Sequence, residues 1–148
     1  MKKMNLLLAI LAIGTLAFSV DKEAQASTLE SMSGELDLET NVHTIIERYD
    51  NSEEVVTEFN EDDEVSILAT KTTYPGGGVF KRTFSGNMLI AQYDHKSWIH
   101  KSSVTNSNTT KQGPWKSKTG GFSRSEIIQT PWGNKANWDI RVDGNIPK

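Results

Sequence analysis

The residues with the greatest chemical capacity lie together in the stretch YDHKSWIHKSSV, which runs from Tyr93 to Val104. It combines two histidines and two lysines with a tyrosine and a tryptophan. His95 and His100 are five positions apart, so on an extended strand their side chains point to opposite faces of the sheet. The spacing also differs from the H-x-x-x-H pattern with which a helix presents two histidines to zinc. We therefore predict structural, hydrogen-bonded histidines, with no metal and no cofactor.

Signatures of catalysis are missing from the sequence. It has no G-x-S-x-G nucleophile elbow, no phosphate-binding loop and no dinucleotide-binding fingerprint. Because there is no cysteine, thiol catalysis, cysteine-ligated metals and disulfides are excluded. A glycoside-cleaving pair of carboxylates needs a separation of about 5 to 9.5 Å, which the sequence does not specify. The carboxylates after Lys71 are Asp94, Glu126, Asp139 and Asp143. We predict that the protein is not an enzyme.

The first 26 residues predict export. A short basic head precedes an apolar run from Leu6 to Val20, which is shorter than the ~20 residues of a membrane-spanning helix. The small-x-small pattern read by signal peptidase follows at Ala24-Gln25-Ala26. We predict a signal peptide cleaved between Ala26 and Ser27, and a secreted, extracellular protein. The alternative is that the apolar run stays in the membrane as an anchor.

Aromatic and cationic residues indicate binding. Four tryptophans lie among the lysines and arginines of the C-terminal half. An indole ring offers a large apolar surface with a polar tip, and clustered cations attract anionic ligands over long range. The same combination suits single-stranded nucleic acid, which an exported protein does not meet, so we expect no nucleic-acid partner. The predicted binding residues are Tyr93, His95, Lys96, Trp98, His100, Lys101, Trp115 and Trp132.

Charge divides the chain into two parts. From Thr28 to Ser66 there are 13 acidic residues and one basic residue, a net charge of −12. From Lys71 to Lys148 there are 12 basic and 4 acidic residues, a net charge of +8. Such asymmetry suggests an acidic segment beside a basic binding module. We predict three regions: a signal peptide at 1–26, an acidic segment at 27–73 and a β domain at 74–148.

The acidic segment has an ambiguous secondary structure. Apolar residues between 36 and 49 fit both the helical period and the two-residue period of a strand. Short strands are expected at Val55-Val56 and over 65–74, on either side of the acidic cluster 61–64. That cluster offers carboxylates to calcium, but it lacks the spaced ligands and the central glycine of a calcium loop. We predict a solvated turn there.

The basic half shows the pattern of short β-strands separated by turns. The clearest alternation starts at Ala136 and predicts a half-buried strand with Trp138 in the core. A second strand is predicted from Ser97 to Val104, and glycine-rich turn signals recur between such strands. We predict an all-β fold, a small antiparallel β-sandwich of two short sheets, preceded by a signal peptide and an acidic N-terminal segment.

The predicted β domain is small. Its 75 residues rarely gain more than about 3–5 kcal/mol from packing, so without disulfides we expect a homodimer or a contribution from the acidic segment. Our hypothesis is that the acidic segment is a removable mask, held over the basic face by opposite charge and by its tether. The alternative is that it adds permanent strands to the β domain. Both alternatives predict contact between the two parts.

A dispersed motif connects these features to a known family. The pattern Tyr93-x-His95-x-x-x-x-His100-x-Ser102-x-Val104 follows a glycine run at 76–78 and precedes Trp115. SEIIQ at 125–129 and GNKANWD at 133–139 complete the pattern. Over residues 76–140 the chain resembles the lactococcin-972-like bacteriocin family. The resemblance implies an exported, antibacterial β-sandwich of two small antiparallel sheets that lacks cysteines and modifications and often self-associates.

This resemblance and the binding residues together imply a function. We expect a secreted bacteriocin-like protein that binds the envelope of related Gram-positive bacteria, at a wall precursor or an anionic wall polymer. Its expected partners are that envelope component, a second copy of the chain, and a dedicated membrane immunity protein and exporter. The alternative is a secreted, non-enzymatic interaction module without killing activity.

Overall fold

The computed structural model describes residues 27–60 and 70–144. Within these ranges the chain forms ten strands and one short 3-10 turn at Pro75–Gly77. The predicted signal peptide through Ala26, the acidic cluster 61–64 and the expected strand residues 65–69 lie outside the described residues. The strands are β1 (Leu29–Asp37), β2 (Val42–Tyr49), β3 (Glu54–Asn60), β4 (Thr70–Thr73), β5 (Val79–Ser85), β6 (Met88–Asp94), β7 (Ile99–Thr105), β8 (Thr110–Gln112), β9 (Ser123–Ile128) and β10 (Lys135–Arg141).

The strands form two sheets in which every neighbouring pair is antiparallel. The six-stranded sheet has the order β3-β2-β1-β10-β7-β8, and the four-stranded sheet has the order β4-β5-β6-β9. The predicted all-β sandwich of two antiparallel sheets is therefore confirmed. The first sheet is larger than expected because three strands of the acidic segment extend it.

The acidic segment forms strands rather than a helix. β1 lies between β2 and β10 and pairs with β10 from Ser31↔Arg141 to Asp37↔Lys135. The two-residue period prevails because Met32, Gly34 and Leu36 are buried, whereas Ser33 and Glu35 between them are only partly buried. This arrangement is the one expected if the acidic segment adds permanent strands to the β domain. Since the mask hypothesis also predicts contact, removal of the segment stays a prediction.

Aromatic rings form the centre of the core between the sheets. Trp138 of β10 is completely buried, as predicted, and stacks on Tyr93 of β6 with ring centroids 5.1 Å apart. Phe80 of β5 meets Tyr93 edge-on at 6.3 Å. Each such pair contributes about 0.5–1.5 kcal/mol beyond the burial of its surface. Aliphatic side chains fill the space around the rings, including Met32, Leu36, Leu89, Val104, Ile127 and Ile140.

Two glycines allow the backbone to approach this aromatic centre. A Cβ on Gly34 in β1 would lie 2.3 Å from the Trp138 indole, and one on Gly78 would lie 2.4 Å from the Tyr93 hydroxyl. Neither position accepts a side chain unless a buried ring moves, which a densely packed interior resists. The Tyr93 hydroxyl donates to the Pro75 carbonyl oxygen at 3.0 Å, and burial raises the pKa of this phenol.

A buried serine cluster joins the sheets where β7 crosses β6 and β9. The Ser102 backbone N–H donates to Ser123 Oγ at 3.1 Å, and the Ser102 hydroxyl lies 3.1 Å from the carbonyl oxygen of Ala91. The Ser125 hydroxyl approaches the same carbonyl oxygen at 3.5 Å. Short side chains let the three strands come close, and their hydroxyls supply partners to buried backbone groups.

Candidate functional site

The loop between β6 and β7 is organised around His95. Its Nδ1 accepts the backbone N–H groups of Ser97 and Trp98, each at 3.1 Å. Because Nδ1 is an acceptor, the neutral ring carries its proton on Nε2, which donates to the Gly76 carbonyl oxygen at 3.0 Å. Burial lowers the pKa of His95, and the bond to Gly76 opposes that shift. His95 therefore fixes the path of the loop.

His95 also positions Trp98. The two rings are stacked almost parallel, with centroids 4.7 Å apart and an interplanar angle of 12°. The half-buried indole packs against the margin of the core. The His95 ring and the hydrogen bond of the Trp98 backbone N–H already fix the indole. It therefore loses little conformational entropy when a ligand binds, which lowers the entropic cost of binding.

A groove of about 310 Å³ opens beside Trp98. Three segments meet there: the β6–β7 loop, the chain after β8, and the end of β10. We call it the cationic groove, and its lining residues are Ser97, Trp98, Ile99, Ser117, Lys118, Arg141, Val142 and Gly144.

The groove combines positive charge with apolar surface. Lys118 and Arg141 are exposed, and none of the lining residues is a carboxylate. Trp98, with the aliphatic side chains of the lining, supplies the apolar part. Two acidic residues, Glu30 and Asp143, line a smaller cavity that shares Arg141. This combination fits a ligand that carries an anionic group on a ring-shaped or apolar body.

Trp115 extends the aromatic and cationic surface beyond the groove. The Lys101 ammonium lies 4.9 Å from the centroid of its ring, and the Arg141 guanidinium lies 5.7 Å from it. Arg141 therefore belongs both to the groove and to the Trp115 cluster. Cation–π contacts of this kind contribute about 0.5–1 kcal/mol at exposed positions, so they orient the two cations more than they stabilise the fold.

Lys96 adds a further cation at the entrance to the β6–β7 loop. Its side chain is 78% exposed, although its Nζ lies 2.5 Å from Oδ2 of the buried Asp94. The other carboxylate oxygen of Asp94 lies 3.6 Å from His100 Nε2. Asp94 thus faces two basic groups, one exposed and one buried.

His100 is held inside the sandwich. Its Nδ1 lies 3.1 Å from the Trp98 carbonyl oxygen and its Nε2 lies 2.9 Å from the Gly121 carbonyl oxygen. A neutral imidazole has one N–H and donates to only one of them, whereas an imidazolium donates to both. The Asp94 carboxylate stands where it would balance that charge. His100 is therefore a structural residue that connects the two loops of the site.

The structure brings some of the predicted binding residues together and places the others elsewhere. His95, Lys96 and Trp98 lie in one loop, and Lys101 meets Trp115 beside it. Three of the predicted residues are not on the surface. Tyr93 and His100 are fully buried, because both alternate inward with the core residues of their strands, and His95 is buried within the loop.

Trp132 does not join this set either. It is 64% exposed and precedes the start of β10, whereas Arg141 of the groove is at the end of β10. A strand of seven residues spans about 20 Å at ~3.3 Å per residue, so Trp132 and the groove lie at opposite ends of the sandwich.

Two cations of the groove were missed from the sequence. Arg141 continues the alternation of β10, and that pattern was sufficient to place it on the outer face. Lys118 lies in an irregular segment between Gly113 and Gly120, and no periodic signal connects it to Trp98. The antiparallel bridge between His100 and Lys116 brings this segment to the site.

Comparisons with protein-family models, with curated proteins and with solved structures found no match to this chain. The resemblance to the lactococcin-972-like bacteriocins therefore stays a prediction based on the motif residues. In residues 27–60 and 70–144, no three histidine or carboxylate side chains are grouped to hold a metal ion. The same ranges contain no helix long and apolar enough to cross a membrane.

Proposed function

We propose that this protein is a secreted antibacterial protein that binds an anionic component of the envelope of related Gram-positive bacteria through the cationic groove. The observation that carries the proposal is the placement of Lys118 and Arg141 around Trp98, whose ring is already held by His95. Phosphate groups of a wall polymer or of a pyrophosphate-linked wall precursor match the charge of the groove. The rings of their sugars match its apolar wall.

The killing part of the proposal is supported by the family resemblance alone. The binding part is supported by charge, because the groove has cations without lining carboxylates, and by preorganisation, because the loop is fixed before a ligand arrives. Binding and killing are therefore tested by separate experiments.

Binding is tested with purified Gram-positive cell walls, before and after removal of their phosphodiester polymers. We expect Lys118→Glu and Arg141→Glu each to weaken association about tenfold, which corresponds to ~1.4 kcal/mol. Lys111→Glu is the matched control, because it makes the same charge change at an exposed position on β8 outside the groove. Equal losses for Lys111→Glu and Lys118→Glu would show a diffuse charge effect and refute the groove.

A second function from another class remains in view, a secreted module that binds a protein and kills nothing. The edge strand β3 favours it, because all seven of its residues are exposed and Val56 and Phe59 are 55% and 43% accessible. Edge strands with unpaired backbone groups accept a strand from a partner. Addition of the purified protein to related cultures separates the two functions: growth arrest supports the bacteriocin, and unchanged growth supports the module.

A further inference from the structure

A second recess lies on the outer face of the six-stranded sheet, and none of its lining residues belongs to the cationic groove. It has a volume of about 320 Å³, at the small end of the ~300–1,000 Å³ typical of ligand sites. It crosses the central strands β2, β1, β10 and β7. We call it the polar trough, and its lining residues are Ser33, Gly34, Glu35, Thr44, Ile46, Ser103, Asn137 and Asp139.

The register of the sheet explains why a trough forms there. One row across the sheet is Thr44, Glu35, Asn137 and Ser103, and the next row is Ile46, Ser33, Asp139 and Lys101. The short side chains of Thr44 and Ser103 at the ends of the first row, and of Ser33 within the second row, leave space between longer neighbours. Two ion pairs border this space: Glu35–Lys135, with 2.6 Å between its charged atoms, and Arg48–Glu54, with 3.0 Å.

The floor of the trough offers hydrogen-bonding groups that the fold does not fully use. Asn137 Oδ1 is buried and has no hydrogen-bond partner among the described residues, while Nδ2 of the same amide donates only over 3.4 Å to Thr105. Asp139 Oδ2 lies 3.6 Å from Lys101 Nζ, too far for a good hydrogen bond. A buried polar atom without a partner costs free energy, so a turn of the Asn137 amide that brings Oδ1 to a donor of a ligand would be favoured.

The chemistry of the floor selects among ligand classes. An anion would have to compete with the carboxylates of Glu35 and Asp139 for the cations that already face them, Lys135 and Lys101. A hard cation needs about six oxygen ligands, and these two carboxylates do not form part of a larger acidic group in the described ranges. An apolar ligand would leave the hydroxyls and the Asn137 amide without partners. A neutral ligand with several hydroxyl groups satisfies all of these side chains, since each hydroxyl both donates and accepts.

Apolar contacts are also present at the trough. Ile46 and the backbone of Gly34 form part of its wall. Trp115 lies beyond Lys101, which contacts both the Trp115 ring, at 4.9 Å, and Asp139. Pyranose rings have apolar faces that pack on such surfaces while their edges donate and accept hydrogen bonds.

We propose that the polar trough is a binding site for a neutral saccharide of one or two rings. Asn137 and Asp139 would accept hydrogen bonds from its hydroxyl or acetamido groups, and Ile46 would contact its ring. The proposal does not depend on the cationic groove, because the lining residues of the two recesses do not overlap.

The test is a titration of the ¹⁵N-labelled protein, starting at Ser27, with the N-acetylated disaccharide chitobiose and the unacetylated disaccharide cellobiose. We expect saturable shifts of the backbone amides of Ser33, Gly34, Ser103 and Asn137, with a Kd of about 1 mM or lower for at least one of the sugars. No saturable shift with either sugar overturns the proposal. Shifts confined to residues of the cationic groove overturn it as well.

Variants locate the contact. Asp139→Asn keeps the shape of the side chain but removes the charge of the acceptor, and Asn137→Ala removes the amide. We expect each change to weaken saccharide binding at least tenfold, because each removes or weakens a hydrogen bond to the ligand. Glu126→Gln on β9 of the other sheet is the matched charge control, with unchanged affinity expected. If a variant fails to fold, Thr44→Arg serves instead, because it fills the trough from a half-buried position. Full affinity in folded Thr44→Arg overturns the proposal.

Discussion

The indole Nε1–H of Trp138 donates a hydrogen bond of 3.1 Å to Nε2 of His43, 95 residues earlier in the chain. Both side chains are almost completely inaccessible to solvent. The bond joins β10 of the basic half to β2 of the acidic segment, across β1. A strand that supplies a partner to the largest side chain of the core is part of that core, which favours permanent strands over a removable mask.

Removal of the His43 acceptor should destabilise the protein. In His43→Leu the Trp138 N–H stays buried without a partner, and we expect a loss of about 1–3 kcal/mol in the free energy of unfolding. His43→Gln retains an acceptor oxygen and should lose less. Urea unfolding followed by tryptophan fluorescence measures both values. Equal losses in the two variants would mean that ring packing, rather than the hydrogen bond, matters at this position.

Truncation decides between mask and permanent strands. A chain that starts at Thr73 lacks Met32, Leu36 and His43, and its Trp138 ring and β10 edge would face solvent. We expect this short chain to be unfolded or insoluble, while the chain that starts at Ser27 folds. A folded short chain that binds cells more tightly, with the difference shrinking at high salt, would instead establish the mask. Circular dichroism and a wall-binding assay are sufficient to tell these outcomes apart.

Protonation of His95 should loosen the β6–β7 loop. Because burial holds the pKa of folded His95 below its ordinary value near 6.5, the unfolded chain binds more protons as the pH falls below ~6.5. The stability contributed by neutral His95 is thus fully present above that pH and is lost as the pH falls through the pKa of the folded state. We expect the melting temperature of wild type to fall more than that of His95→Gln between pH 7.5 and pH 5. Parallel curves for the two proteins would contradict this assignment.

Wall binding should weaken as salt is added. The Debye length shortens from ~10 Å at 0.1 M to ~3 Å at 1 M, so a ligand attracted by Lys118, Arg141 and Lys96 should be released over this range. The combined variant Lys96→Glu with Lys101→Glu should bind less at 0.1 M and should show a flatter salt dependence. If this variant retains full binding and full killing, the loop side of the surface does not contact the ligand.

Processing of the leader should leave Ser27 as the first residue. Alanines stand at both recognition positions before it, Ala24 and Ala26. Intact-mass measurement of protein from culture supernatant should give the mass of residues 27–148. Recovery of the uncleaved chain in the membrane fraction would support the anchor alternative.

Local pattern was sufficient for some elements and insufficient for others. The alternation around Trp138 predicts β10 to within about one residue, because a single core face determines it. Residues 36–49 fit both the helical period and the two-residue period of a strand. That a strand forms there depends on pairing with β10, about a hundred positions later in the chain. For the candidate site, too, local sequence patterns predicted some features and not others. The sequence identified the loop around His95 and Trp98, but it did not show that Tyr93 and His100 are buried or that Lys118 joins the groove, since both depend on contacts between distant segments.

The position of β1 between β2 and β10 also determines when the sheet can form. Ser31 pairs with Arg141, so the middle of the six-stranded sheet cannot assemble until the last strand has been synthesised. Proteins dominated by such non-local pairings fold in milliseconds to seconds rather than microseconds, because the entropy of closing a long loop is lost before the contacts form. A nascent chain of this topology therefore lacks the completed six-stranded sheet until β10 has been made, although local pairs such as β5 and β6 can form earlier. If the chain is exported as we predict, the sheet would close only after export.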